Sequence, residues 1–208
     1  MEHTVITIAR SYGSGGRTLG KLLAEELGIH CYDRELLRMA SEQSGINEAL
    51  FGQVDEKIKS SPLFRISKKI YKGEVLPPDS DDFTSEDNLF NFQAQCIKEL
   101  ARTESCIIIG RCADYVLDGF DGLVKVYLYA DMDYRVERIK ELGYYEPKDV
   151  KKNIKRIDRE RRDYHRYYTG RDWENVENYD LMLNTARLGT EGAVEAVKGY
   201  LRLRGYEI

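Results

Sequence analysis

One segment near the amino terminus constrains the fold more than any other: an apolar run, a glycine-rich bend and a helical pattern follow one another without a gap. The run covers residues 4–9 and is mostly β-branched, and the bend at residues 10–18 contains three glycines. Apolar residues then recur at helical spacing until Gly28, at Leu19, Leu22, Leu23 and Leu27. These patterns predict a buried strand, a tight loop and an amphipathic helix in succession.

The glycine-rich bend has the composition of an anion-binding loop. Glycine leaves backbone N–H groups uncovered, and the helix that follows directs its positive dipole end at the same point, so the loop can bind a polyphosphate. The common phosphate loop reads GxxxxGK followed by Ser or Thr. Here Gly16 stands at the lysine position and Arg10 at the first glycine, and the nearest cation is Arg17, whose planar guanidinium also binds phosphate. A tight turn that binds nothing is the alternative.

Length and composition favour one domain in a reducing compartment. The chain has 208 residues, enough for one α/β core with an insertion. Its four cysteines lack CxxC spacing and its three histidines argue against a histidine-rich metal site. No segment resembles a leader or approaches the roughly 20 apolar residues of a membrane span. We therefore expect a cytoplasmic protein with no membrane partner.

Positive charge is concentrated in one segment. Residues 151–171 contain nine basic and three acidic residues, whereas the whole chain has a net charge of -4. Concentrated cations in an otherwise acidic chain favour a compact anion as ligand and argue against a nucleic-acid surface. On a helix, four of these cations form one stripe, at Lys155, Arg159, Arg162 and Arg166. A solvated helix face balanced by local acids is the alternative.

Strands and helices are predicted to alternate along most of the chain. Short apolar runs predict strands at residues 5–9, 29–32, 106–109, 123–129 and 179–183. Helical patterns cover residues 17–27, 34–43, 86–102, 134–142, 149–167 and 191–203. This alternation predicts an α/β fold with a parallel sheet that is covered on both faces. Residues 47–87 are the exception: they predict an insertion that is helical over 47–71 and a mobile loop over 72–85.

The ordered set of motifs resembles the nucleoside monophosphate kinases, and more closely the cytidylate kinase-like family. The glycine loop, residues 20–28 and the pair Tyr32-Asp33 resemble the start of such a kinase. Residues 107–111, which end in Gly110-Arg111, are similar to the family's third strand with its Gly-Arg signature. Residues 126–130 resemble the fourth strand, and the arginine-rich helix followed by residues 179–185 resembles the lid and fifth strand.

The resemblance implies a single P-loop kinase-like domain over residues 1–208. It implies a five-stranded parallel sheet flanked by helices, an acceptor-binding insertion at residues 47–87 and a basic lid at residues 149–172. The implied reaction transfers the γ-phosphoryl group of ATP, with Mg²⁺, to a nucleoside monophosphate, CMP or dCMP in the first place. This chain departs from the family at Ile109, where an acidic residue is usual, and at Cys112, where an aspartate would help to read cytosine.

Phosphoryl transfer requires cations and backbone amides more than a nucleophile, which selects the candidate residues. In the loop, Gly13, Ser14, Gly15 and Gly16 would bind ATP through their amides, Arg17 would supply charge, and Thr18 would bind the phosphates or Mg²⁺. The candidate catalytic residues are Arg17, Arg159, Arg162 and Arg166, and the candidate acceptor-binding residues are Asp33, Arg38, Arg111 and Asp163. No carboxylate ligand for Mg²⁺ is assigned beyond Asp114 as a guess.

Several of these residues have a structural alternative. Arg111 follows an apolar strand directly, where ligands bind in open α/β sheets, but an internal ion pair would also place it there. Asp33 and Asp131 are candidate N-caps of the helices that follow them. Three tyrosines of the basic segment, Tyr164, Tyr167 and Tyr168, either stack on a base or pack the lid against the core.

Two rival functions stay open at this stage. The unfamiliar insertion and Cys112 are compatible with a kinase of another small-molecule acceptor. The missing lysine is compatible with a catalytically inactive nucleotide-binding regulatory protein. In each case the expected partners are small-molecule nucleotides, without nucleic acid, and the sequence leaves the oligomeric state open.

Overall fold

Five parallel strands form the centre of the molecule in a computed structural model that describes residues 3–57, 71 and 73–206. The strands are β1 (Val5–Arg10), β2 (His30–Tyr32), β3 (Cys106–Ile109), β4 (Leu123–Tyr129) and β5 (Leu181–Asn184). They pair in the order β2-β3-β1-β4-β5, and every pair is parallel. The first strand is therefore central, and the glycine loop that follows it lies at the middle of the sheet edge.

Helices cover both faces of this sheet. They are α1 (Gly16–Leu27), α2 (Glu35–Ser44), α3 (Glu48–Val54), α4 (Glu86–Thr103), α5 (Ala113–Val116), α6 (Met132–Glu141), α7 (Val150–Thr169) and α8 (Thr185–Leu203). All six residues of β1 are buried, as expected for a strand with a helical layer on each side. In β3, Ile107 packs into the cluster with α1 and α8, while Ile108 packs into the cluster with α2 and α4. Alternating side chains thus join one sheet to two cores.

The predicted α/β fold with a five-stranded parallel sheet is confirmed. Most of the predicted element boundaries lie within two residues of the observed ones, and two of the differences have a local cause. The last strand begins at Leu181 because the Tyr179 N–H closes a 3₁₀ turn on the Val176 carbonyl. The last helix begins at Thr185, and its predicted portion follows a break at Gly189, whose φ of 70° is left-handed. The four-residue helix α5 was not predicted because it is too short to show a period.

The insertion is only partly helical in the described part of the chain. Residues 48–54 form α3, whose N-cap Asn47 accepts a hydrogen bond from the Ala49 N–H. Residues 58–70 and 72 lie outside the described residues, so the helical prediction is not tested there. Residues 73–85 form turns without helix or strand, and the Asn88 side chain holds them by bonds to the Leu76 N–H and the Phe83 carbonyl, both at 2.8 Å.

The carboxyl ends of the strands lie along one edge of the sheet, as they must in a parallel sheet. Four connections meet at this edge: residues 11–15 after β1, 33–34 after β2, 110–112 after β3 and 130–131 after β4. Among the described residues, no helix has the length and apolar content needed to cross a bilayer. The fold therefore brings the glycine loop, Asp33 and Gly110-Arg111 to one place.

Candidate active site

The glycine loop has the backbone geometry of an anion cradle. Gly13 and Gly15 have φ values of 86° and 89°, a left-handed conformation that favours glycine. The Ser14 hydroxyl donates to the Ser11 carbonyl at 2.8 Å and fixes the bend. Gly15 is the N-cap of α1, and among the described residues no side chain caps this helix end. The first N–H groups of α1 are therefore free of a side-chain acceptor, as an anion site at a helix N-terminus requires.

Packing against Arg10 explains why glycine replaces the usual lysine at position 16. A Cβ built on Gly16 would lie 2.7 Å from Arg10 Cγ and 3.1 Å from Arg10 Cβ. These atoms belong to the base of the Arg10 side chain and have little freedom to move. The Arg10 side chain thus fills the space that the Cβ of a lysine at position 16 would occupy.

We expect Gly16→Ala to destabilise the fold by about 1–3 kcal/mol, because it forces an atom into filled space. Gly199→Ala in α8 is the matched control, since a Cβ there meets no atom within 4 Å, and alanine should stabilise that helix by about 0.5–1 kcal/mol. Urea denaturation of both variants measures the difference. Equal free energies of unfolding in the two variants would refute the packing explanation.

An arginine of α6 contacts the glycine loop, and a phosphate-binding role for Arg17 stays a prediction. Arg17 is half exposed and pairs with Asp33 at the end of β2. Arg138 of α6 donates from Nη2 to the Thr18 Oγ1 at 2.9 Å, and its guanidinium lies 3.3 Å from the position of a Cβ on Gly15. The sequence prediction missed Arg138 because 120 residues separate it from Thr18.

The hydrogen bond between Arg138 and Thr18 also affects whether Thr18 can bind a metal ion. A guanidinium already lies on the Thr18 hydroxyl, and a cation in that position opposes a second cation on the same oxygen. In the described part of the chain, no group of three or more His, Cys, Asp or Glu residues is placed to hold a metal ion. A cage of several protein ligands is thus not found among the described residues, whereas Mg²⁺ in phosphoryl-transfer sites is held mainly by substrate phosphates and water, and the role of Thr18 stays a prediction. Asp114, the guessed carboxylate, instead pairs with His165 at 2.9 Å.

Arg111 lies at the end of β3 and is buried among carboxylates. Its backbone is left-handed, with a φ of 54°. Its Nη2 donates to Asp55 Oδ2 at 3.1 Å, and its Nη1 lies 3.6 Å from Asp33 Oδ1. Asp33 thus links Arg17 with Arg111. The preferred N-cap role of Asp33 was wrong: Arg34 is the N-cap of α2, and no side chain caps that helix.

Glu56, a carboxylate of the insertion, connects the ends of β1 and β3 with α7. Glu56 Oε1 accepts hydrogen bonds from Arg10 Nη1 at 2.5 Å and from the Arg111 N–H at 3.2 Å, and its Oε2 accepts from Arg161 Nε at 3.0 Å. Burial raises the pKa of Glu56, but Arg10 and Arg161 lower it by more, so the pKa lies well below its ordinary value. Burial also raises the pKa of the neighbouring Asp55. Neither carboxylate was predicted, because the insertion shows no motif.

The lowered pKa of Glu56 predicts a pH dependence. A carboxyl whose folded pKa is depressed stabilises the fold above its unfolded pKa, about 4.3, and this contribution is lost as pH falls through the folded value. Wild type should therefore exceed Glu56→Gln in free energy of unfolding at pH 7, and the gap should begin to narrow as pH falls below about 4 and shrink further toward the folded pKa. Urea titrations at pH 7, 4 and 3 measure it; a gap that stays constant would contradict the ion pairing.

The basic helix and the glycine loop face one cleft. Asp158 of α7 accepts from the Tyr12 N–H at 2.6 Å and from Arg135 Nη1 at 2.5 Å, and Arg161 donates to the Arg10 carbonyl at 3.1 Å. These bonds hold α7 against the loop. The cleft beside them has a volume of about 640 Å³, and its lining includes Ser11 of the loop, Met132 and Arg135 of α6 and residues of α7.

Three of the four predicted stripe cations line this cleft. They are Lys155, Arg159 and Arg162, and Arg162 also pairs with Glu174 at 2.8 Å. Arg166 is exposed and is not among the lining residues. Arg166 lies on the same helix face but about one turn further along the axis than Arg162, the last α7 residue in the cleft lining.

The remaining candidates lie in different surroundings. Arg38 is exposed and pairs with Glu35 and Glu42 of its own helix. Asp163 is half-buried on α7. The three tyrosines are buried, and Tyr168 stacks on Phe90 of α4 with ring centroids 3.8 Å apart. Of the two alternatives for these tyrosines, the structure supports packing. Asp131 is the N-cap of α6 through its backbone, without a side-chain bond.

This combination of loop, basic helix and Gly110-Arg111 agrees with the comparison against known families. The sequence model of the cytidylate kinase-like family matches residues 5–187. The chain belongs to this family. A cytidylate kinase of Archaeoglobus fulgidus is 26% identical over 195 residues, which cover 92% of this chain and 91% of that protein. A cytidylate kinase of Pyrococcus horikoshii is also 26% identical, over 95% of this chain and 88% of that protein.

Solved structures confirm the α/β fold. An uncharacterized protein from Eubacterium ventriosum superposes with a TM-score of 0.70 at 22% identity, over 96% of this chain and 99% of that chain. A shikimate kinase from Bacteroides thetaiotaomicron superposes with a TM-score of 0.54 at 16% identity, over 96% and 98%. At these identities the structures support the fold. The family and its curated relatives support a kinase.

Proposed function

We propose that this protein transfers the γ-phosphoryl group of ATP to the phosphate of a nucleoside monophosphate, with CMP or dCMP as the first candidates. The observation that carries the proposal is the cleft that Ser11, at the start of the glycine loop, lines together with the α7 cations, next to the Tyr12–Asp158 bond that holds α7 against the loop. Relatives named cytidylate kinase that match nine-tenths of the chain support the acceptor class.

In the proposed reaction, an oxygen of the acceptor phosphate attacks the γ-phosphorus of ATP, the bond from that phosphorus to the β-γ bridging oxygen breaks, and ADP leaves. The amides of Gly13, Ser14, Gly15 and Gly16 would hold the donor phosphates, and Arg138 would supply charge beside them. Arg159 and Arg162 would neutralise charge on the moving group. ATP would bring Mg²⁺ on its own phosphate oxygens. Residues 47–87 would contribute to the acceptor site, and residues 149–172 would act as the lid.

An ADP-release assay with ATP and Mg²⁺ tests the proposal against a panel of acceptors. CMP, dCMP, UMP and AMP are the nucleotide arms, and shikimate is a matched arm without a nucleotide. We expect CMP or dCMP to give the fastest release. Failure of all four nucleotides would refute the assignment, and release that needs no acceptor would indicate a hydrolase.

One observation favours keeping other acceptors in this panel. Cys112 is buried, and burial raises the pKa of its thiol well above the ordinary value. A neutral thiol at this position offers no carboxylate to the exocyclic amine of cytosine. If UMP stimulates ADP release as much as CMP does, the result would therefore agree with the loss of base selection at position 112.

A further inference from the structure

Glu56 fills a cradle that has the chemistry of an anion site. Both of its oxygens are bound, by two guanidinium groups and one backbone N–H within 2.5–3.2 Å. The carboxylate lies directly over Gly110, where a Cβ would be 1.9 Å from Oε1. Gly110 has a φ of 75°, and Arg111 after it is also left-handed. The chain thus leaves room for the anion and directs a backbone N–H at it.

The charges around the cradle suit a dianion better than a carboxylate. Two buried arginines, Arg10 and Arg111, and the partly buried Arg161 face the carboxylates of Asp55 and Glu56. Burial and the nearby Arg10 lower the pKa of Arg161, so the two guanidinium groups depend on the anion between them. Arg111 Nε lies 3.1 Å from Asp55 Oδ1 but makes no hydrogen bond. A phosphate dianion in place of the Glu56 carboxylate would bring these charges into balance.

The backbone at Glu56 indicates that this occupant can leave. Glu56 has a φ of 53°, a left-handed conformation that is unfavourable for a residue with a side chain. It follows α3 and lies outside the sheet, whereas Arg10 ends the central strand and Arg161 lies within the long helix α7. The positions of Arg10 and Arg161 are therefore fixed by a strand and a helix, whereas the Glu56 carboxylate is fixed mainly by its bonds to these arginines.

We propose that the cradle formed by Arg10, Arg161 and the Arg111 amide binds the phosphate of the acceptor, and that Glu56 is an internal ligand that this phosphate displaces. The cradle lies at the ends of β1 and β3, on the Arg111 side of the glycine loop. That the phosphate belongs to a nucleotide acceptor rests on the proposed function; the cradle itself requires only a phosphate dianion.

Calorimetric titration of the full chain with inorganic phosphate, CMP and ATP tests this. Glu56→Gln removes the competing charge and nearly keeps the shape, so it should bind phosphate and CMP about tenfold more tightly than wild type. Affinity for ATP should change less than twofold. Glu195→Gln, an exposed carboxylate on α8, controls for the lost negative charge and should leave all three affinities unchanged. Adding Arg10→Gln to Glu56→Gln should remove the gain.

Each outcome decides between the alternatives. If Glu56→Gln binds phosphate no more tightly than wild type, or if its gain in phosphate affinity persists when Arg10→Gln is added, the proposed cradle is overturned. If only the affinity for ATP increases, the assignment of the cradle to the acceptor is overturned. If Glu56→Gln fails to fold, refolding in phosphate against chloride at equal ionic strength replaces the titration: rescue by phosphate supports the site and equal yields overturn it. Tighter phosphate binding without turnover of any nucleotide would refute the proposed function and keep the cradle.

Discussion

Arg162→Ala is expected to lower kcat for CMP phosphorylation by about 100- to 1000-fold, the usual cost of removing a group that stabilises charge in a transition state. Arg162 lines the cleft with Arg159 and Ser11, and its guanidinium is held by Glu174. Charge in phosphoryl transfer spreads over the oxygens of the moving group, so a cation fixed beside them acts mainly on kcat. Steady-state kinetics with varied ATP and CMP measure the effect.

Arg156→Ala is the matched control for this prediction. Arg156 is an arginine of the same helix, but it pairs with Glu160 at 2.6 Å and is not among the cleft residues. Its replacement should change kcat by less than about threefold, because a partly exposed pair within one helix contributes little. Equal losses in the two variants would mean that α7 acts through its overall charge, and the assignment of Arg162 would be wrong.

Arg138→Ala is expected to lower kcat by about 100-fold, because it removes the cation that lies on the glycine loop. Arg17→Ala should have a smaller effect on kcat, since Asp33 holds the Arg17 guanidinium at the end of β2. Measurement of kcat and of KM for ATP in both variants separates the two arginines.

Lys140→Ala on α6 controls for charge, because Lys140 pairs with Glu137 of its own helix, and it should leave kcat within about threefold of wild type. A large loss in Arg17→Ala with normal kcat in Arg138→Ala would show that Arg17 is the loop cation, as the spacing of the sequence first indicated.

The centre of the sheet could be predicted from the sequence because β1, β3 and most of β4 are buried on both faces. Such strands read as continuous apolar runs, and the run at residues 106–109 predicts β3 at its observed bounds. The glycine loop could be predicted for a similar reason, since left-handed bends favour glycine and Gly13 and Gly15 have that conformation. Strand burial and a left-handed backbone both restrict the residue types at the positions concerned, so both can be predicted from short stretches of sequence.

The charged network could not be predicted because its partners are distant in the chain. Glu56 is 46 residues from Arg10 and 105 from Arg161, and neither separation follows a period or a motif. The absence of lysine at position 16 is visible in the sequence, but its cause, the Arg10 side chain packed over Gly16, is visible only in the fold. The helix face of the predicted stripe is correct, but the sequence does not show where the cleft ends, so it does not reveal that Arg166 lies outside the cleft lining.

Transfer of the γ-phosphate label from ATP tests the central claim most directly. Wild-type protein is incubated with γ-³²P-labelled ATP, Mg²⁺ and CMP, and the products are separated by chromatography. The shared cleft of the glycine loop and α7 predicts label in CDP, with about 100-fold slower labelling by Arg162→Ala. The same incubation is repeated with dCMP, UMP and AMP. If the label stays in ATP, or appears only in inorganic phosphate, with all four acceptors, the result would contradict the claim.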